Sequence, residues 1–414
     1  MRNWRLGTLL AVAGSLVAAS APFGFASTSS TTQATHVDLR WSQTFKPRGA
    51  PLAVAKAPDK SLLRVATLDS FDGFELTRTS RQGPHIWSRT WRGPGGSFRG
   101  VNANALAVSR ANHAVLVAGQ ATCLFQGESP GSPGPVFVRS YDLGGDLRWT
   151  RWVGDCPTRS NHRHVRALSV AGLDVWSGGL AVAFTQGHSS DCCPHFRRGH
   201  VVAFGFDGTA LWRTELNFPR RTVKEVVTSD VAAAGQLLVV SGSIIRNRYG
   251  SNAYLVALST DRGNVKWRQV TNGKTEPNND QYLDLDATNG AIFASGTVDD
   301  VFEGGGGRHI IERWSTSGLR EWRASVPSNA TVAAQSDHSV LWSGPVSRQG
   351  KPDQIAFGQQ RASGSTGWRD RWTLPRRTYP YDYSFVAWKE QGFSTAEVAG
   401  PNKKWFLQTW AWRW

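Results

Sequence analysis

Hydrophobic residues occur along this chain in short runs, in which β-branched and aromatic residues often alternate with polar ones. Residues 104–153 contain four such runs, NALAVS, AVLVAG, VFVRSYDL and LRWTRWV, which Gly, Asp, Asn or Ser separate. Residues 226–270 repeat the arrangement with VVTSDVAA, LLVVSG, AYLVALS and VKWRQV. Alternation with a period of two, interrupted by turn residues, predicts antiparallel strands in groups of four. No stretch has the period of a long amphipathic helix, so we expect an all-β protein.

Tryptophan marks the fourth run of each group. Seven tryptophans recur at intervals of 46, 62, 63, 55, 55 and 46 residues, namely Trp41, Trp87, Trp149, Trp212, Trp267, Trp322 and Trp368. Six of them have a glycine four positions earlier, namely Gly83, Gly145, Gly208, Gly263, Gly318 and Gly364. We expect these glycines in hairpin turns that need a positive φ, and the tryptophans as wedges between neighbouring units. A four-stranded unit repeated about every 55 residues is typical of a propeller blade.

Counting the repeated tryptophans predicts a seven-bladed β-propeller of four-stranded blades. The last unit has only three strand-like runs, YSFVAW, GFSTAEVAG and KWFLQTWAW. The missing strand is predicted at residues 38–45, which would pair beside residues 404–412. Such pairing of the N-terminal strand with the last blade closes the ring and covers both sheet edges.

The repeating pattern aLAV…LVAG…xFVxxYDxxGxLxWxR resembles the seven-bladed β-propeller repeat of secreted bacterial proteins. Its Gly-x3-Trp ending also resembles the quinoprotein-like repeat, most closely at residues 257–267, ALSTDRGNVKW. The resemblance extends over residues 38–414 and implies blade architecture. It implies no activity, because propellers support many unrelated chemistries.

The N-terminal residues have the features of a secretory signal peptide. Arg2 and Arg5 precede a short run of apolar and small residues, and no acidic residue occurs before Asp38. We therefore predict a signal peptide at residues 1–26 with cleavage after Ala26, a tail at 27–37 and one domain at 38–414. The mature protein would be extracellular, or periplasmic in a Gram-negative source. No later run is long enough to cross a membrane.

The charge balance is strongly basic, with 47 Lys and Arg against 31 Asp and Glu. Removing two arginines with residues 1–26 changes the net charge from +16 to +14. Such an excess suits an anionic partner such as nucleic acid, an acidic polysaccharide or a cell surface, and it also fits an arginine-rich codon bias in a secreted protein. We predict a monomer with no specific nucleic-acid partner.

Long connections are predicted on one face of the propeller and short turns on the other. The long ones are residues 119–136, 153–164, 186–200, 297–309 and 373–383. Long loops on a rigid scaffold usually carry binding residues. The ligand-binding candidates on or beside this face are Arg163, His164, His188, His195, Arg197, Arg198, Arg220, Arg221, Arg376 and Arg377.

All four cysteines, Cys123, Cys156, Cys192 and Cys193, fall on the same face. An even number in an exported chain favours two disulfides. We favour pairing of Cys192 and Cys193 with Cys123 and Cys156 across two blades. The alternative is a vicinal Cys192–Cys193 bond beside Cys123–Cys156. A zinc site with His188, Cys193, His195 and His200 is disfavoured, because the spacing of a tetrahedral site is absent. No metal and no cofactor are predicted.

The sequence contains no recognisable catalytic motif of the G-x-S-x-G, H-E-x-x-H or P-loop type, and the catalytic residues stay unknown. The favoured function is non-catalytic binding of a protein, an anionic glycan or a cell surface through the long-loop face. The alternative is an extracellular enzyme, either a quinone-dependent dehydrogenase or a sialidase-like hydrolase. No ligand set of either enzyme class can be matched to this sequence residue by residue.

Overall fold

The structure is a computed structural model. It describes residues 37–45, 51–68, 72–95, 98–123, 132–156, 166–190, 193–219, 223–246, 250–271, 278–298, 308–327, 329–346, 354–373, 380–388, 391–398 and 404–412. These ranges contain strands and turns and no helix. It follows that no helix within them is long and apolar enough to cross a membrane.

Six blades follow one another along the chain, each a four-stranded antiparallel sheet. Blade 1 contains β2 (Pro51–Lys56), β3 (Leu62–Thr67), β4 (Phe74–Thr79) and β5 (His85–Trp91). Blade 2 contains β6 (Phe98–Ser109), β7 (Ala114–Cys123), β8 (Ser132–Asp142) and β9 (Leu147–Val153). Blade 3 contains β10 (Arg166–Trp176), β11 (Gly179–Ser190), β12 (Cys193–Phe204) and β13 (Ala210–Glu215).

The remaining three blades have the same strand order. Blade 4 contains β14 (Glu225–Ala234), β15 (Leu237–Ile245), β16 (Gly250–Ser259) and β17 (Val265–Thr271), with the short β18 (Asn278–Asn279) paired to β16. Blade 5 contains β19 (Gln281–Ala287), β20 (Ala291–Val298), β21 (Arg308–Ser315) and β22 (Arg320–Ser325). Blade 6 contains β23 (Thr331–Ala334), β24 (Val340–Val346), β25 (Gln354–Gln360) and β26 (Thr366–Thr373). The predicted propeller of four-stranded blades is confirmed.

The two ends of the chain form a further four-stranded sheet. Its strands are, in order, β1 (Val37–Phe45), β29 (Lys404–Trp412), β28 (Gln391–Val398) and β27 (Pro380–Trp388). β1 runs antiparallel to β29, with Val37 opposite Trp412 and Phe45 opposite Trp405. Backbone pairing is described for this sheet, and side-chain packing is not.

The prediction of a closed ring of seven equivalent blades is therefore corrected. In each of the six consecutive blades the structure describes buried side chains, and each blade carries one Gly-x3-Trp unit. The seventh blade was inferred from Trp41, which lacks the glycine, so its outer strand has no turn of the repeated type. The count that the described side-chain packing supports is six blades.

The hydrophobic core lies between neighbouring sheets. Strands in the middle of a blade are covered on both faces, and all eight residues of β20 are buried. Outermost strands such as β22 alternate between exposed and half-buried residues. One core cluster joins Leu116 of blade 2 to Phe184 and Val202 of blade 3. Burial on both faces explains why the middle runs are continuously apolar, whereas the fourth runs alternate.

The Gly-x3-Trp unit forms the interface between consecutive blades. The Trp149 indole Nε1–H of blade 2 donates to the Phe206 carbonyl of blade 3 at 2.7 Å. A Cβ added to Gly208, two residues later, would lie 2.9 Å from the Trp149 ring. The same donation joins the next blade at Trp87–Leu143, Trp212–Thr260, Trp267–Thr316 and Trp322–Ala362. The tryptophan is thus an inter-blade wedge, as predicted. Its ring lies where a side chain of the glycine would otherwise be.

Candidate functional site

One face of the propeller collects the starts of the first and third strands of each blade and the ends of the second and fourth. We call it the long-loop face. Its connections are shorter than predicted, because several of the supposed loops continue as paired strands. Residues 186–200 mostly belong to the β11–β12 hairpin, which stays paired out to Ser190 and Cys193. Paired backbone satisfies its own hydrogen bonds, so this segment protrudes as a ribbon and not as an irregular loop.

Arg197 and Arg198 lie on that ribbon. The Arg197 Nε atom is 3.5 Å from the Glu225 carboxylate of the next blade, and its side chain is 41% exposed. The Arg198 Nη1 atom is 3.1 Å from the Glu215 carboxylate, and its side chain is 49% exposed. Both guanidinium groups therefore have a local carboxylate and still face solvent.

The other ligand-binding candidates are placed less completely. His188 lies on β11 and His195 on β12, and only their backbone is described. Outside the described residues lie Arg163, His164, Arg220, Arg221, Arg376 and Arg377. The predicted signal peptide at 1–26 also lies outside them. Of the candidates, only Arg197 and Arg198 have described side chains, which as consecutive strand residues point to opposite faces of β12. The structure tests none of the candidates as ligand-binding residues.

The favoured disulfide pairing across two blades is wrong. Cys123 is bonded to Cys156 within blade 2, with their Cα atoms 5.7 Å apart. β7 and β9 end at the same face, and Gly154, with φ +82°, turns the chain directly after β9. A Cβ on Gly134 of β8 would lie 2.5 Å from the Cys123 sulfur, so this glycine makes room for the bond. The disulfide indicates an oxidising compartment. Cys192 lies outside the described residues, and only the backbone of Cys193 is described.

Replacing Cys123 and Cys156 together by serine should lower stability by about 2 to 4 kcal/mol, because the bond closes a loop over a separation of 33 residues. Urea unfolding of the variant and of the parent protein measures the difference. Peptide mapping without reduction should recover Cys123 linked to Cys156. A peptide that links either cysteine to residues 192–193 would contradict this pairing.

Four aspartates line a central cavity of about 720 Å³ that the innermost strands of the six blades surround. Asp174 lies on β10, Asp230 on β14, and Asp284 and Asp286 on β19. Asp230 and Asp284 each directly follow a β-bulge in their strand. A bulge redirects the side chains that follow it. The carboxylates therefore lie at the inner edge of the blades, half-buried and shielded from bulk solvent.

Each of these carboxylates binds a backbone amide of the following blade. The acceptor–donor pairs are Asp174–Ala233 at 2.7 Å, Asp230–Leu285 at 3.0 Å, Asp284–Val332 at 2.6 Å and Asp286–Ala334 at 2.8 Å. We call these contacts the inter-blade aspartate bonds. Each bond uses one acceptor site of one carboxylate oxygen and fixes the orientation of the side chain. Within the described residues no group of three or more His, Cys, Asp and Glu could hold a metal ion.

Enclosure in the cavity raises the pKa of these groups. Desolvation raises the pKa of Asp174 to about 6 and that of Asp286 to about 7, against the lowering effect of the amide donors. Desolvation, and then the charge of Asp284, raise the pKa of Asp230 well above its ordinary value. Asp284, which is hydrogen-bonded to Asp230, has a pKa raised by desolvation to about 6. These aspartates were not among the sequence-predicted site residues, and their bonds to the following blade were not predicted.

A second charged cluster lies in blade 5. Glu312 is fully buried and accepts from Arg320 Nη1 at 3.1 Å, Arg323 Nε at 2.5 Å and Trp314 Nε1 at 3.2 Å. The Tyr282 hydroxyl, which is also fully buried, donates to the same carboxylate. Burial and the nearby carboxylate charge raise the pKa of Tyr282. A substrate cannot reach Glu312 and Tyr282, which have no exposed surface. The Tyr282 hydroxyl also lies 2.8 Å from Thr271 Oγ1 of blade 4, so it connects the two blades.

Aromatic rings gather at the long-loop ends of blades 1 and 2. Trp91 ends β5, Phe98 begins β6, and Trp152 lies next to the end of β9. All three are half-buried and pack on the buried Phe74 and Phe137. The sequence analysis did not single out this cluster. Its signal was the recurrence of aromatic residues where the strand runs begin and end, in RTWRGPGGSF and TRWVGD.

Comparison with known proteins shows the fold and no family. No family model and no curated protein matches the chain. The resemblance to the secreted bacterial propeller repeat and to the quinoprotein-like repeat is therefore not supported, apart from the propeller fold itself. Solved structures are similar at the level of the whole fold.

One of them is the β-propeller domain of the Trilobed protease from Pyrococcus furiosus, at 10% identity over 89% of this chain and 94% of that one, with a TM-score of 0.50. Another is the polysaccharide lyase Uly1, at 11% identity over 87% and 89% of the two chains, also at 0.50. A protein of unknown function from Dyadobacter fermentans has 10% identity over 91% of this chain and all of its own, at 0.48. At these identities the first two structures, with TM-scores of 0.50, show that the chain has a β-propeller fold.

Proposed function

We propose that this chain is an exported, non-catalytic β-propeller that binds an anionic glycan of a cell surface through its long-loop face. In this proposal residues 1–26 are removed as a signal peptide, 27–37 form a tail and 38–414 form the domain. The Cys123–Cys156 bond supports export, because such bonds persist in oxidising compartments.

The observation that carries the proposal is the position of Arg197 and Arg198. The outermost strand β13 pairs with β12 only from His200 to Phe204, so both arginines lie on the part of β12 beyond it. Their side chains are about half exposed, although each has a carboxylate within 3.5 Å. Exposed ion pairs contribute little to stability and exchange partners readily, so a polyanion can compete with Glu215 and Glu225 for these guanidinium groups. The net charge of +14 after export adds long-range attraction.

The proposal predicts that replacing both Arg197 and Arg198 by glutamine lowers affinity for an anionic polysaccharide about three- to tenfold at low salt. The loss should shrink as salt rises, because exposed charges are screened beyond about 8 Å at 0.15 M ionic strength. Retention on immobilised polygalacturonate across a salt series measures the effect.

The matched control replaces Arg148 and Arg262 by glutamine. These two arginines carry the same charge and lie on or beside the short-turn face. Both side chains are exposed. Arg320 is unsuitable for this purpose, because it neutralises the buried Glu312. Equal losses from the two double variants would show that only net charge matters, and would remove the long-loop face from the proposal.

A further inference from the structure

The half-buried rings at the long-loop ends of blades 1 and 2 form a continuous apolar surface. The Phe98 and Trp152 rings stack with centroids 5.0 Å apart and planes inclined by 20°. The Trp91 ring lies 6.3 Å from that of Trp152. We call Trp91, Phe98 and Trp152 the aromatic platform. Half-exposed aromatic side chains offer a large apolar area at a low cost in conformational entropy, which is why they concentrate at binding surfaces.

The platform has a rigid base. The fully buried Phe137 ring lies 5.0 Å from Trp91 and 5.9 Å from Trp152 in edge-on contacts. Phe98 stands opposite Cys123 in the β6–β7 register, and Cys156 follows Trp152 by four residues. The Cys123–Cys156 bond therefore joins β7, which pairs with the strand of Phe98, to the segment that follows Trp152. A surface fixed in this way loses little conformational entropy when a ligand binds.

The segment that joins Trp91 to Phe98 has little side-chain bulk. Between β5 and β6 the sequence is RGPGGS, in which Arg92 is the one long side chain. A Cβ added to Gly95 would meet no atom within 4 Å, which shows that this part of the border faces open space.

Positive charge lies on both sides of the platform. The Arg139 guanidinium, which is buried, lies 4.1 Å from the centroid of the Trp91 ring. Arg92 at the border is 61% exposed and 2.6 Å from the Asp72 carboxylate. The platform therefore offers an apolar surface with an accessible cation at its edge and a fixed cation beneath it. This pairing suits a ligand that is apolar on its flat side and anionic at its rim.

We propose that the aromatic platform binds a pyranose ring of an acidic polysaccharide, with the C–H face of the sugar on the outer face of the stacked Phe98–Trp152 pair and its carboxylate toward Arg92. The negative face of an aromatic ring attracts the weakly positive C–H hydrogens of the sugar. A guanidinium forms charge-assisted hydrogen bonds with a carboxylate. This subsite rests on the proposed function, because it names the class of glycan bound and the residues that distinguish it from other polyanions.

The test compares binding of polygalacturonate, polyphosphate and neutral dextran to the full chain and to Phe98→Leu, which keeps an apolar side chain and removes the aromatic face. The expected result is about tenfold weaker binding of polygalacturonate by Phe98→Leu and unchanged binding of polyphosphate. The matched control is Phe218→Leu, a half-buried aromatic residue that follows β13 on the same face, and it should bind polygalacturonate as the parent does.

A second measurement uses the unmodified protein. Oxidative footprinting followed by mass spectrometry should show protection of Trp91 and Trp152 by polygalacturonate and none of Trp212. Unprotected Trp91 and Trp152, with equal binding of polyphosphate and polygalacturonate, would overturn the platform and leave general anion binding intact. Failure of both polyanions to bind would overturn the proposed function itself. Binding of dextran as tight as that of polygalacturonate would overturn the acidic character of the ligand.

Discussion

Replacing Gly263 by alanine is expected to lower the free energy of unfolding by about 3 to 4 kcal/mol. Gly263 has φ +68°, where an L-residue costs about 1 to 2 kcal/mol. Its new Cβ would lie 2.4 Å from Cε3 of Trp212 and 2.5 Å from Oγ1 of Thr214. Trp212 is fixed by its indole bond to the Thr260 carbonyl at 2.9 Å, so it cannot move aside without breaking the interface between blades 3 and 4. Overpacking of this kind adds about 1 to 3 kcal/mol. Urea unfolding measures the loss.

Gly235→Ala separates the two contributions. Gly235 has nearly the same φ, +67°, in the turn between β14 and β15, and its new Cβ would meet nothing closer than the Asn289 carbonyl at 3.9 Å. This variant should lose only the backbone contribution, about 1 kcal/mol. An equal decrease in the free energy of unfolding for the two variants would show that the contact with Trp212 contributes nothing. The glycine of the repeat would then be needed only for the positive φ of its turn.

The second large effect is a loss of stability as pH rises from 5 to 8. Asp174, Asp284 and Asp286 have folded-state pKa values of about 6, 6 and 7, above the ordinary 3.8. A raised pKa means that the folded protein binds protons that the unfolded chain has released. The stabilisation is fully present below pH 3.8 and is lost as pH rises through 6 to 7. The expected loss is on the order of 3 kcal/mol, which includes a reduction for the solvent that the cavity admits.

Asp286→Asn tests the origin of this loss. Asparagine resembles the protonated acid. The decrease in the free energy of unfolding between pH 5 and 8 should therefore be roughly half as large in the variant as in the parent protein. The control is Asp207→Asn on the short-turn face, where backbone and side-chain hydrogen bonds with Thr209 lower the pKa of Asp207. Asp207 stays ionised throughout this range, so its replacement should leave the slope unchanged. Urea midpoints at several pH values decide the matter, and an unchanged slope in Asp286→Asn would count against burial of the Asp286 carboxylate as the source.

Local pattern was sufficient to predict the blades. Strand alternation and the positive φ of Gly208, Gly263 and Gly318 depend on residues that are close in sequence. They can therefore be predicted from the sequence alone. The number of blades depended on Trp41, which has no glycine four positions earlier. A rule that required both residues of the motif counts six units, the number of blades with described interiors.

The disulfide and the aspartates could not be predicted in the same way. Whether Cys123 meets Cys156 or a cysteine of blade 3 depends on how the chain turns at Gly154, and a pairing rule based on sequence order does not contain that turn. Asp284 and Asp286 alternate like the polar residues of an ordinary half-exposed strand. Only the position of β19 beside β23 shows that their partners are backbone amides of the following blade.

Two sets of bonds join a side chain of one blade to the backbone of the blade that follows it. The tryptophan of one blade donates to a turn of the blade that follows, and each of the four cavity aspartates accepts from the innermost strand of the blade that follows. Blades 2–5 therefore each carry a tryptophan that donates to the following blade and a turn carbonyl that accepts from the preceding blade. A duplicated unit inserted between two others would find matching halves on both sides. The length of such a protein can change by gene duplication or deletion of whole units without the invention of a new interface.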